Sequence, residues 1–170
     1  MRMSELEGVL LSELLQLYSL QRHDFMNHWQ VIMGNLQLNK PDKALLYIKD
    51  IIGKYDQEQK VARLPDKQFA AVMLGLVVGL NQLEVEVTLD YPEVMKKETF
   101  WQENRREEYV EALYGYTREW LAMAKQTQEL QNPLNAEIYL YDEPEGFSCQ
   151  FILADEEDEI FNKLVKFRQE

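Results

Sequence analysis

Leu11-Ser12-Glu13-Leu14-Leu15-Gln16-Leu17-Tyr18-Ser19-Leu20-Gln21-Arg22-His23-Asp24-Phe25-Met26-Asn27-His28-Trp29-Gln30-Val31-Ile32-Met33-Gly34-Asn35-Leu36 decides the fold. Apolar residues recur in it at alternating spacings of four and three: Leu11, Leu15, Tyr18, then Phe25, Trp29, Ile32 and Leu36, interrupted once by Arg22. That is a heptad seam on a helix. Proline is absent from Ser4 to Leu38, so the pattern predicts one helix of roughly 50 Å. Asn39-Lys40-Pro41-Asp42 then supplies stop and restart signals, with Pro41 suited to a first helical turn. A second seam follows through Leu45, Ile48, Ile52 and Tyr55, continuing to about Ala62. So short a connection makes the two helices antiparallel neighbours.

Two helices cannot bury such stripes alone, and Leu10, Leu14, Leu17 and Met33 add apolar positions beside the first seam. The economical solution is a homodimer in which two hairpins form a four-helix bundle. The alternative is that the stripes pack on the C-terminal half of the same chain. Pro65-Asp66 marks a boundary, giving a hairpin over 1–64 and an α+β unit over 65–170. In that unit Asp66 is placed to cap a helix from Lys67 to about Asn81. Glu84 to Tyr91 alternates like a half-buried strand. Glu103 to Gln128 reads as a helix, and Asn135–Tyr141 and Gly146–Leu153 as strands joined by a turn over Asp142–Glu145. Asp155 to Phe167 reads as a closing helix whose acidic first turn, Asp155-Glu156-Glu157-Asp158-Glu159, suits the helix dipole.

Composition narrows the function classes. With 46% hydrophobic residues the chain can build a core. A formal net charge of -12 disfavours nucleic acid and anionic membrane surfaces, because long-range repulsion slows encounter. The one cysteine, Cys149, lies in a strand-like run and reads as a buried structural thiol, in keeping with a reducing compartment. Glu5 and Glu7 stand where a signal peptide carries cations, and the apolar run Phe69–Leu80 is too short for a bilayer. A soluble, cytoplasmic protein is expected.

His23 lies off the seam. Rotated about 100° from Arg22, it shares a polar or small stripe with Asn27, Gln30 and Gly34, at spacings of four, three and four. Gly34 costs the helix roughly 1 kcal/mol relative to alanine, and leaves room for another surface. An imidazole nitrogen is a good nucleophile near neutral pH and can take a phosphoryl group in line. Asp24 is placed to orient the ring or hold its proton, and Asn27 to hydrogen-bond the transferred group or a water. The plain alternative is a surface histidine without chemistry, and residue types and spacing do not separate the two. His23 and His28 are five apart, about 140° around a helix, with no cysteine near, which is poor geometry for a metal. His28 reads as an ordinary flanking residue.

The stretch Leu20–Leu38 resembles the phosphoacceptor helix of the sporulation initiation phosphotransferase family and, more loosely, that of citrate- and fumarate-type sensor kinases. The shared core is R-H-D-aromatic-hydrophobic-N followed by a glycine and a leucine run. It covers the first third in motif and the whole chain in layout. The resemblance implies that His23 receives phosphate from an aspartyl-phosphate on one response regulator and passes it to a second. Asp24 and Asn27 stand beside it and Arg22 precedes it. It further implies a dimer with a four-helix bundle and a C-terminal α/β sandwich like a degenerate histidine-kinase ATPase domain. No cofactor is expected on this chain; magnesium belongs to the response regulator.

An ATP-dependent kinase is disfavoured. The helix around Arg105–Lys125 has no asparagine for magnesium, the acidic run 155–159 has no glycine for a triphosphate, and no P-loop occurs. The leading reading is a phosphorelay phosphotransferase acting through His23, with catalysis by positioning. The alternatives are a non-catalytic dimeric scaffold for a response regulator, or a phosphatase in which Asn27 or Asp24 positions water. A partner surface of Arg22, Met26, Gln30 and Gly34 is expected around His23, with nearby parts of the C-terminal unit. It should be largely apolar, given the acidity of the chain.

Overall fold

The computed structural model describes residues 3–128 and 133–168. Helix α1 runs unbroken over Met3–Gln37 and α2 over Pro41–Ala62. The turn between them forms as its residues dictate: Asn39 takes a left-handed φ of 55°, and Pro41 sits in the first turn of α2, where its missing N–H costs nothing. Helix α3 covers Lys67–Gln82, capped by Asp66, whose Oδ1 accepts from the Phe69 amide at 2.8 Å. Strand β1 follows at Glu86–Asp90, then α4 at Glu98–Asn104 and α5 at Glu107–Gln128. Strands β2 (Asn135–Glu143), β3 (Gly146–Ala154) and β4 (Glu159–Arg168) end the described chain.

Among the described residues the sheet is four-stranded, in the order β1-β2-β3-β4. The first pair is parallel, as a helical crossover requires, and the others are antiparallel hairpins. Its inner face meets α3 and α5 in an α+β arrangement. Trp120 of α5 stacks on Phe151 at 4.9 Å, and Phe69, Trp101 and Phe147 form an aromatic cluster.

This core reaches back into the hairpin. Leu6 and Leu10 of α1 and Val61 at the end of α2 are buried in the same cluster as Leu76, Leu113 and Phe151. Tyr114 donates to Glu13 at 2.8 Å, and Lys60 and Gln57 engage the backbone of Leu89 in β1. Beside the seam, Leu10 therefore packs on the C-terminal half, Leu14 and Leu17 are half-buried, and Met33 is exposed. The seam itself does not pack there: Leu11, Leu15, Tyr18, Phe25, Trp29 and Leu36 on α1, and Leu45 and Ile52 on α2, are exposed.

Two expected elements differ. Asp155–Phe167 is no helix. Asp155 Oδ1 accepts from the amides of Glu157 and Asp158, at 2.9 and 2.8 Å, which makes the acidic run a tight turn into β4. Beyond it Phe161, Val165 and Phe167 fall on one face at even spacing, Phe167 stacks on Phe147 at 4.9 Å, and β4 pairs along all of β3. The period of two, with a partner strand waiting, overrides a composition that also suits a helix. The helix expected over Glu103–Gln128 is two helices, because Arg105 is extended (φ -81°, ψ 138°). Its guanidinium turns back to the Asp66 carboxylate at 2.9 Å and to Gln68.

Candidate functional site

Because α1 is continuous, His23, Asn27, Gln30 and Gly34 occupy one stripe, and the first two touch. Asn27 Nδ2 is 3.3 Å from His23 Nδ1, with both side chains exposed. Asp24 Oδ1 is 3.8 Å from the same nitrogen, beyond hydrogen-bond reach, and the imidazole is 76% exposed. Asn27, rather than Asp24, is thus the group that holds the ring. With its amide nitrogen donating, the neutral ring carries its proton on Nε2. With the amide turned so that its oxygen accepts, the proton sits on Nδ1 and Nε2 is free. Arg22, Met26 and Gln30 are exposed around this stripe. A Cβ added to Gly34 would meet nothing within 4 Å, so no crowding inside the chain requires glycine there.

Beside this stripe, α1, α2 and α3 form an open pocket of about 240 Å³. Asp24 and Asn27 line it, with His28 from α1, Tyr47 and Tyr55 from α2, and Asn81 from α3. His28 is no ordinary flanking residue. Its Nδ1 shares a 2.8 Å hydrogen bond with the Tyr47 hydroxyl, and its ring stands edge-on to Tyr55 at 6.4 Å. Glu58 joins all three helices: Oε2 accepts from Gln21 Nε2 at 2.7 Å and Oε1 from Asn81 Nδ2 at 3.1 Å. Burial raises the Glu58 carboxyl above its ordinary range, opposed by those two amide hydrogen bonds. Burial also raises the Tyr55 hydroxyl, reinforced by Glu58 and Asp24.

Sequence reasoning missed Tyr47, Glu58 and Asn81. Tyr47 and Glu58 meet α1 across 19 and 37 residues of chain, and Asn81 meets Glu58 across 23, which no local period reports. From the C-terminal unit, Val78, Asn81 and Gln82 of α3 line the same pocket. Among the described residues no group of three or more His, Cys, Asp or Glu is arranged to hold a metal ion, and no helix is long and apolar enough to cross a membrane.

Two comparisons bear on this arrangement. Residues 3–64 match the alpha-helical domain of SpoOB-type sensor kinases. Over 83 residues the chain is 36% identical to sporulation initiation phosphotransferase B of Bacillus subtilis (strain 168). That match takes in 48% of this chain and 43% of the relative, so it spans under half of the relative's length. The likeness to SpoOB-type sensor kinases thus lies in the helical hairpin, the part of the chain that carries His23.

Proposed function

We propose that this chain is a phosphorelay phosphotransferase, acting in sporulation initiation, that carries a phosphoryl group on His23 between the aspartates of two response regulators. The observation that carries the reading is the open imidazole of His23, held by Asn27 at 3.3 Å on a helix that matches the SpoOB-type alpha-helical domain. In the forward step the ring nitrogen lone pair attacks phosphorus in line, an N–P bond forms, and the acyl-phosphate P–O bond breaks to release the donor carboxylate. The second transfer reverses this on another receiver. Attack from Nε2 needs the proton on Nδ1, where a turned Asn27 amide or, after a shift of about 1 Å, Asp24 accepts it. The proton stays on the protein and the phosphoramidate remains labile. Magnesium enters on the receiver, and this chain brings no cofactor of its own.

The reading includes a homodimer. Six large side chains of the α1 seam lie exposed, and full burial of each is worth about 1.5–3 kcal/mol. A second hairpin laid along them would complete a four-helix bundle of the 1–64 units. The 65–170 unit is read as a degenerate kinase-type domain, with helices on one face of a mixed sheet and no glycine-rich loop for a triphosphate. The protein is placed by this reading in the cytoplasm, free of membrane and nucleic acid.

A relay assay tests it. A labelled, aspartyl-phosphorylated receiver domain is mixed with a second, unlabelled receiver, with and without the chain. Label should reach the second receiver only when the chain is present, and not with His23→Ala. Loss of label as free phosphate would favour a phosphatase, and binding without any change in label would favour a scaffold.

A further inference from the structure

Arg22 to Asn27, the motif that bears His23, are all exposed. The inner members of this stretch, Asp24 and Asn27, line the open 240 Å³ pocket. Two half-buried polar residues flank it. Gln21, two residues before His23, donates to Glu58 at 2.7 Å, and His28, five after, is joined to the Tyr47 hydroxyl at 2.8 Å. Glu58 also takes the Asn81 amide at 3.1 Å, which ties the same point to α3 and the C-terminal unit. We infer that Glu58 and Tyr47 are positioning residues that fix the roll of α1 at His23, and with it the face the imidazole offers to a phosphoryl donor. This rests on the phosphotransfer reading of His23.

The geometry makes the roll matter. A ring about 6 Å from the helix axis moves by roughly 2 Å for a roll of about 20°, more than an in-line transfer tolerates. A carboxylate suits the Glu58 position because each oxygen accepts one amide donor. Glutamine there would keep one link and oppose a donor to the other. Exchanging the two groups, as in Gln21→Glu with Glu58→Gln, restores both: the amide donates to the new carboxylate on α1, and its oxygen still accepts from Asn81.

The test uses the full chain and a labelled, aspartyl-phosphorylated receiver domain, with folding followed by circular dichroism. Glu58→Gln and Tyr47→Phe should each lower the rate of label uptake at saturating receiver by about tenfold or more. The half-saturating receiver concentration should stay essentially unchanged. The Gln21→Glu/Glu58→Gln double variant should regain most of the lost rate. Folded single variants that transfer at the wild-type rate, or a folded double variant that does not recover, would overturn the inference. Tyr47→Phe keeps the ring and removes one hydroxyl, so it decides the matter should Glu58→Gln fail to fold. His23→Ala separates the two levels: if it still takes label, the His23 reading falls and the inference with it. If it is inert while both positioning variants match wild type, the inference alone falls.

Discussion

At the scale of residues, the contact that was legible in the sequence is the one made within a helical turn. His23 and Asn27 meet because they are four apart. Asp24, adjacent in sequence and reasonable on chemical grounds, sits about 100° around the helix and stops 3.8 Å from the ring nitrogen. Glu58 was not legible, since its partners lie 37 and 23 residues distant. Its raised carboxyl makes a prediction about stability. A carboxyl whose folded value lies above its unfolded value contributes stability that is fully present below the unfolded value and is lost as pH rises through the folded one. Wild type should therefore gain melting temperature relative to Glu58→Gln as pH falls from neutral toward the ordinary carboxylate range. A difference that stays flat or shrinks would contradict it. Cys149, fully enclosed in β3, has its thiol pushed up to about 12 by burial. A thiol-specific reagent should label it only under unfolding conditions, as the strand-like sequence around it implied.

Elements followed the sequence where one period held without competition. The seams of α1 and α2, the proline start of α2 and the Asp66 cap are local features, and each stands where its residues put it. β4 did not, because Ile160, Phe161, Leu164, Val165 and Phe167 satisfy a helical spacing as well as an alternating one. Only the pairing with β3 selects between them. That hairpin sheet turns on Gly146, whose φ of 151° is closed to other residues and whose added Cβ would sit 1.9 Å from the Phe167 carbonyl oxygen. Gly146→Ala should destabilise the chain by about 2 kcal/mol or more, read from chemical denaturation. A variant within experimental error of wild type would show that the β2–β3 turn relaxes freely.

At the scale of the whole molecule, the two readings of the apolar stripes each describe a different face. Leu6 and Leu10 enter the common core, whereas the seam from Leu11 to Leu36 lies open. The sequence showed both stripes, and could not say which neighbour each would meet, because that depends on where α3 and α5 dock. The exposed seam predicts that the chain sediments at twice its monomer mass at micromolar concentration, and that Leu15→Glu or Ile52→Glu shifts it toward monomer. Neither site touches the buried core, so a wild-type chain that is monomeric at that concentration would remove the bundle. The central claim, that His23 is the phosphoryl carrier, is tested most directly by labelling from an aspartyl-phosphorylated receiver domain in wild type, His23→Ala and His28→Ala. The account predicts acid-labile, base-stable label in wild type, the same label taken up more slowly in His28→Ala, which lacks the bond to Tyr47, and none in His23→Ala, while label that persists in His23→Ala would contradict it.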